Sequence, residues 1–289
     1  SWQRRITAHW KTFSDERRIV ASKVKVLVMT GYGLNCERET TRAFELAGAE
    51  VTCVHLNDLF ATSSMLLDFH VLAFIGGFSF GDHLGAGTVL ANRLRHRVGS
   101  ELNEFITSGR LAIGICNGFQ TMTRLGLVPA LDGAYFKQQA ALTHNDQGVF
   151  RNAWVTLKCN PESSCVFTRG IDILPLPIRH GEGKFVVKDS AALEQLESHG
   201  HVAMRYVHPE TSQTTLDLPH NPNGSVNGIA AICDMSGRVF GMMPHPEAYL
   251  SPFNHPHWIR QKINGVLPEV GLGRQIFENA VRFAAAELV

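Results

Sequence analysis

Cys116 is the residue best placed to act as a nucleophile. It stands in Gly114-Ile115-Cys116-Asn117-Gly118-Phe119-Gln120, between an apolar run and a helical stretch. Residues 110–115 read as a buried strand and residues 117–125 as a helix. Gly114 and Gly118 would permit a tight, strained turn between them, the elbow that lifts a nucleophile to a sheet edge. The helix N-terminus just beyond would stabilise negative charge on the sulfur. On this motif alone, a packed thiol in a glycine-tolerant turn is an equally open reading.

A second group lies far along the chain, in Pro244-His245-Pro246-Glu247. The prolines keep the segment extended, so His245 and Glu247, two residues apart, point in related directions. A carboxylate beside an imidazole fixes its tautomer and stabilises the imidazolium. Cys116 as nucleophile, His245 as base and Glu247 as orienter then form an acyl-transfer set. His-Pro-Glu alone would read as a surface turn. Two half-motifs at the ends of candidate core strands favour the set. Acyl transfer also needs N–H donors aimed at the developing oxyanion. Gly76-Gly77-Phe78-Ser79-Phe80-Gly81-Asp82 follows another apolar run, so the amides of Gly77 and Asn117 are the candidate donors. The G-x-x-x-x-G-K-[ST] pattern of a nucleotide-binding loop is absent there.

Alternating elements would position these residues. Strands are expected at 23–29, 50–56, 71–75 and 110–115, and helices at 36–47, 88–108 and 117–125. That βαβ series predicts an α/β fold with a mostly parallel sheet flanked by helices, its glycine-rich loops gathered at the carboxyl ends of the strands. From residue 130 the pattern changes to strands at 150–158, 185–187 and 202–206. A hairpin follows at 229–233 and 238–243, then an amphipathic helix at 271–288. Residues 1–22 read as an N-terminal extension, and 23–289 as one domain with an added antiparallel hairpin region.

The composition narrows the function classes. The chain has 289 residues, 44% hydrophobic, with a formal net charge of +1. That balance offers no bulk attraction to nucleic acid or an anionic membrane. No run approaches the ~20 apolar residues that span a bilayer, and the start lacks a secretory apolar core. The six cysteines are irregularly spaced with no C-x-x-C pair, which favours free thiols in a reducing cytoplasm over disulfides or zinc. Fourteen histidines invite a metal, but without a ligand-spacing motif none is expected.

At this point the chain resembles class I, triad-type glutamine amidotransferases of flavodoxin-like fold. More narrowly, it is similar to the glutaminase part of phosphoribosylformylglycinamidine synthase. The cysteine and His-Pro-Glu segments carry the broad resemblance. Gly-Phe-Ser-Phe-Gly-Asp at 77–82, Arg-His-Gly-Glu-Gly at 179–183 and Asn-Pro-Asn-Gly-Ser at 221–225 carry the narrow one. The resemblance implies hydrolysis of L-glutamine through a Cys116 thioester. It implies that ammonia passes to a synthetase subunit, with a small bridging subunit as a further partner. ATP and Mg²⁺ would belong to the synthetase, with no cofactor in this chain. It implies that Gln120 holds the α-amino group, that backbone at His180 and Gly181 holds the α-carboxylate, and that Gly76 borders the substrate. Phe119 departs from the family pattern where cysteine is common, as do Ala248-Tyr249 where a basic residue is common. Other readings are a glutaminase serving another acceptor, or a catalytically silent scaffold subunit. The expected form is a free-standing glutaminase subunit; an excised domain of a longer enzyme is the alternative.

Overall fold

The computed structural model describes residues 24–289; the expected N-terminal extension, 1–22, lies outside them. Five strands form the parallel half of a nine-stranded sheet. They are β1 (Lys25–Thr30), β2 (Glu50–His55), β3 (Val71–Phe74), β4 (Leu111–Ile115) and β11 (Val239–Met242), in the order β2-β1-β3-β4-β11. β3 and β4 are buried along their whole length, as expected for strands covered on both faces. Helix α1 (Glu37–Leu46) follows β1 and α2 (Leu56–Ala61) follows β2. The long α3 (Thr88–Thr107) runs from β3 toward β4 and breaks its helical geometry at Val98, φ −137°. Helix α4 (Asn117–Leu125) starts directly after Cys116. The Cys116 elbow therefore sits at the carboxyl end of a central strand, where open α/β sheets place their ligands.

Packing under the elbow is close. Phe119, Met122 and Leu125 of α4 are fully buried, each contributing about 1.5–3 kcal/mol by leaving water. A Cβ on Gly118 would lie 1.9 Å from the Phe74 carbonyl oxygen, and one on Gly114 would lie 2.3 Å from Met122 Sδ. The two glycines thus serve close approach of α4 to β3 and β4. The unusual backbone belongs to Cys116 itself, at φ +52°, ψ −108°.

The antiparallel half continues from β11 through β10 (Ile229–Cys233), β9 (Val202–Val207), β6 (Arg151–Cys159) and β7 (Ile173–His180). The expected hairpin is β10–β11, paired Ala231 with Met242. The expected strand at 185–187 is β8 (Lys184–Val187), which leaves the main sheet and pairs with β5 (Ala140–Thr143) in a separate ribbon. The sequence reading did not include β5, β7, α2, α5 (Ser190–Ser198) or α6 (Trp258–Ile263). β7 contains Pro175 and Pro177, which argue against a central strand. It is the edge strand, paired among the described strands with β6 alone, where a missing N–H costs no ladder partner. The closing helix is α7 (Arg274–Glu287), and Phe44 of α1 meets Phe277 edge-on at 4.9 Å. Among the described residues, no helix is long and apolar enough to cross a membrane.

Candidate active site

Three segments converge on Cys116. The first is its own elbow, whose N–H donates to Met242 O at 2.9 Å and whose carbonyl accepts from Gln120 N at 3.0 Å. The second leaves β11 as Pro244-His245-Pro246-Glu247 and is tied to β7 by the His245 N–H on Pro177 O at 2.9 Å. His245 Nδ1 lies 2.5 Å from Glu247 Oε1, with both side chains buried. Cys116 lies close enough to act on the charge of the imidazole, whose Nε2 is buried without a hydrogen-bond partner among the described residues. Burial works against charge on His245, but the Glu247 carboxylate and then Cys116 outweigh it and hold the imidazolium well above its ordinary range. A thiol, an imidazole and a carboxylate thus stand in series, the arrangement that activates a sulfur nucleophile.

The third segment is the Gly76-Gly77 loop. Leu34 and Gly77 form an isolated antiparallel bridge. It is flanked by Asn35 N donating to Gly76 O at 3.2 Å and Phe78 N donating to Gly33 O at 2.9 Å. In that pattern the Gly77 N–H points away from Leu34, and among the described residues it donates to no backbone carbonyl. The loop is braced by the chain's own residues 33–35. Asn117 secures it from the other side: its Oδ1 accepts from Ser79 N at 3.3 Å, and its Nδ2 donates to Asp82 Oδ1 at 3.1 Å.

Between these segments lies a cavity of about 170 Å³ that includes Cys116, Gly77, Gln120, His180 and Gly181. Gly76 is not among its walls; it backs the imidazole instead, where a Cβ would lie 3.0 Å from His245 Cε1. Gln120 is committed to the frame, with Nε2 donating to Glu182 O at 2.6 Å and Oε1 accepting from Asn117 Nδ2 at 3.0 Å. The His180 side chain faces Asn145 Oδ1 at 3.2 Å. Burial, and then the nearby His245, push its pKa down to about 3, so this ring is neutral. Its backbone carbonyl is taken by Asn145 Nδ2 at 2.9 Å.

A model of the CobB/CobQ-like glutamine amidotransferase domain matches residues 23–284. The chain belongs to that glutamine amidotransferase family. It is 43% identical over 265 residues to the phosphoribosylformylglycinamidine synthase subunit PurQ of Methanococcus maripaludis, covering 90% of this chain and 97% of that protein. It is 44% identical over 265 residues to the PurQ subunit of Dehalococcoides mccartyi, covering 91% and 98%. A solved chain of PurLQS from Thermotoga maritima superposes with a TM-score of 0.66 at 28% identity, covering 90% of this chain and 99% of that one.

The amidotransferase cavity also has walls that the sequence reading did not assign to substrate. Asp82 and Glu182 put two carboxyl groups at its rim. Glu182 Oε2 accepts from Ala86 N at 3.1 Å. Burial raises the Asp82 pKa, partly offset by the Gly87 N–H and the Asn117 amide. Phe78 and Phe150, with ring centroids 6.2 Å apart, form an apolar lip, and Arg179 O faces Cys116 Sγ at 3.6 Å. The available signal for these residues was their place inside the Gly-rich 77–82 and 179–183 segments. Phe150 carries no such signal.

Proposed function

We propose that this chain hydrolyses L-glutamine to glutamate and ammonia, with Cys116 as nucleophile, His245 as general base and then acid, and Glu247 as its orienter. The observation that carries this reading is the buried Glu247–His245 pair set against the strained Cys116 elbow in the wall of a small cavity. Attack of the Cys116 sulfur on the side-chain amide forms a glutamyl thioester. His245 gives its proton to the departing nitrogen, and ammonia leaves. The same imidazole then takes a proton from water, which opens the thioester to glutamate. The amides of Gly77 and Asn117 receive the oxyanion in both steps. The Asp82 and Glu182 carboxyl groups suit the substrate's α-ammonium by charge. Gln120, held on the Glu182 backbone, shapes that wall, while Gly181 supplies backbone beside it.

The ammonia is consumed by a synthetase partner that converts formylglycinamide ribonucleotide to its amidine with ATP; the relatives in Methanococcus maripaludis and Dehalococcoides mccartyi are named as subunits of phosphoribosylformylglycinamidine synthase. ATP and Mg²⁺ belong to that partner, and a small third subunit completes the complex. The six cysteines, all free among the described residues, suit a reducing cytoplasm. The test is glutamate release from glutamine by this chain, alone and with a synthetase subunit, ATP and formylglycinamide ribonucleotide. Release that rises with the partner is the expected result. No release in either setting, with the synthetase active on free ammonia, overturns the reading.

The oxyanion assignment makes its own prediction. A Cβ on Gly77 would lie 2.6 Å from Gly33 O and 2.7 Å from Leu34 Cα, at a φ of +147°. Gly77→Ala must therefore move the peptide that carries the donor. The expected loss in kcat is about 10²–10³-fold, with a smaller change in KM, since the donor acts on the transition state. Steady-state kinetics on the folded variant would check it; an equal loss confined to KM would contradict the assignment.

A further inference from the structure

Two arginines near the start of α3 spend their charge differently. Arg95 donates to the carbonyls of Phe136 at 2.9 Å and Leu125 at 2.8 Å. Arg93 has no carboxylate in ion-pair range among the described residues. Its guanidinium lies over three aromatic rings instead. Arg93 Cζ is 5.3 Å from the centroid of Phe80, 5.5 Å from Tyr32 and 5.4 Å from Phe60, within the reach of cation–π attraction. Tyr32 and Phe80 are themselves stacked, with centroids 4.6 Å apart and planes 19° apart. The three rings come from three segments. Tyr32 follows β1, Phe60 belongs to α2, and Phe80 lies three residues beyond the Gly77 donor. The Tyr32 hydroxyl donates to Asn57 Oδ1 of α2 at 2.6 Å, which fixes that side of the stack. The loop after Gly77 is zipped to residues 32–35: Phe78 N donates to Gly33 O at 2.9 Å and Phe80 N to Tyr32 O at 2.7 Å. Tyr32 and Phe80, at φ +50° and +55°, hold a backbone that non-glycine residues keep only where their surroundings enforce it.

We propose that Arg93 is a positioning residue for the oxyanion donor: its guanidinium pins the Tyr32–Phe80 stack and so holds the loop that carries the Gly77 N–H. Arg93 is not a wall of the glutamine cavity, so it acts through the loop and not on the substrate. The Phe80 N–H bond to Tyr32 O is the end of the zipper farthest from Gly76. When the stack opens, that end frays, and the peptides behind it are free to turn. A donor that turns is no longer aimed at the developing oxyanion, and the loss falls on the transition state. The planar guanidinium suits this place because it lies flat on aromatic faces without needing a carboxylate. Lysine keeps the charge over the rings, whereas methionine fills the same space without it. The effect on rate rests on the glutaminase reading; the anchoring of the loop does not.

Two measurements on the full chain, with Arg93→Met and Arg93→Lys, separate the parts. The first is amide hydrogen exchange of a peptide covering residues 76–82. In Arg93→Met it is expected to exchange about tenfold faster, while residues 111–125 keep their original rate. The second is steady-state glutamine hydrolysis. Arg93→Met is expected to lose about tenfold in kcat with KM within about twofold, and Arg93→Lys to recover most of that loss. Unchanged exchange at 76–82 overturns the proposal, as does a loss confined to KM or a lysine variant as slow as the methionine one. Faster exchange at 111–125 as well would make Arg93 a support of the whole fold, and also overturns it. Phe80→Leu removes the ring from the loop side and is the second variant should Arg93→Met fail to fold; the same local exchange and kcat loss are expected. The exchange result stands whether or not glutamine is hydrolysed, so failure of the anchor and failure of the glutaminase reading are distinguishable.

Discussion

Cys116→Ala is expected to lower glutamine hydrolysis by about 10⁴-fold or more while leaving the fold intact. Without the sulfur no thioester forms, and neither His245 nor the oxyanion donors can replace a covalent step. The cavity and the bonds around the elbow remain, because Cys116 holds its place through its backbone: N–H to Met242 O and carbonyl to Gln120 N. Glutamine should therefore still bind, and a glutamine analogue that labels the unaltered chain should leave the variant unlabelled. Residual hydrolysis within tenfold of the original would remove Cys116 from the nucleophile's role. The same position tests the backbone. A non-glycine residue at φ +52°, ψ −108° carries about 1–3 kcal/mol of strain. Cys116→Gly should then unfold at a higher denaturant concentration than Cys116→Ala, although both are inactive. The reverse order would mean that the elbow is unstrained.

Glu247→Gln should cost about 10³–10⁴-fold in kcat for glutamine hydrolysis, by analogy with loss of the carboxylate in other triads. Gln fills the same volume but cannot stabilise the imidazolium, and its amide NH₂ favours the wrong tautomer of His245. A pH-dependent stability change should accompany it. The His245 pKa is raised in the folded chain, so its contribution is fully present below the unfolded value and is lost as pH rises through the folded one. The variant loses that contribution. Its stability deficit in denaturant unfolding should be larger at about pH 6 than at about pH 9. A deficit that does not shrink with rising pH would mean that Glu247 acts by packing alone.

The strand–turn–helix order around Cys116 was legible because each element declares itself locally. Residues 111–115 are apolar without interruption, and α4 carries Phe119, Met122 and Leu125 on its buried side. The extended His-Pro-Glu segment was legible because proline restricts the backbone whatever the fold around it. Residue types and spacing by themselves therefore pointed to the candidate reacting groups and determined the parallel strands that present them. They did not determine what stands opposite those groups. The two prolines of β7 argue against a strand until the sheet order makes it an edge, and β7 then delivers Arg179 and His180 to the cavity. Gln120 reads as a ligand for the substrate's α-amino group; its side-chain amide is spent on Glu182 O and Asn117 Nδ2. Nothing in the spacing of the six cysteines sets Cys36 apart; the Leu34–Gly77 bridge puts it beside His245, where a Cβ on Gly76 would lie 3.0 Å from both. Periodicity reports that a side chain will be buried. Which partner buries it depends on contacts between segments distant in the chain, and only the tertiary structure decides those.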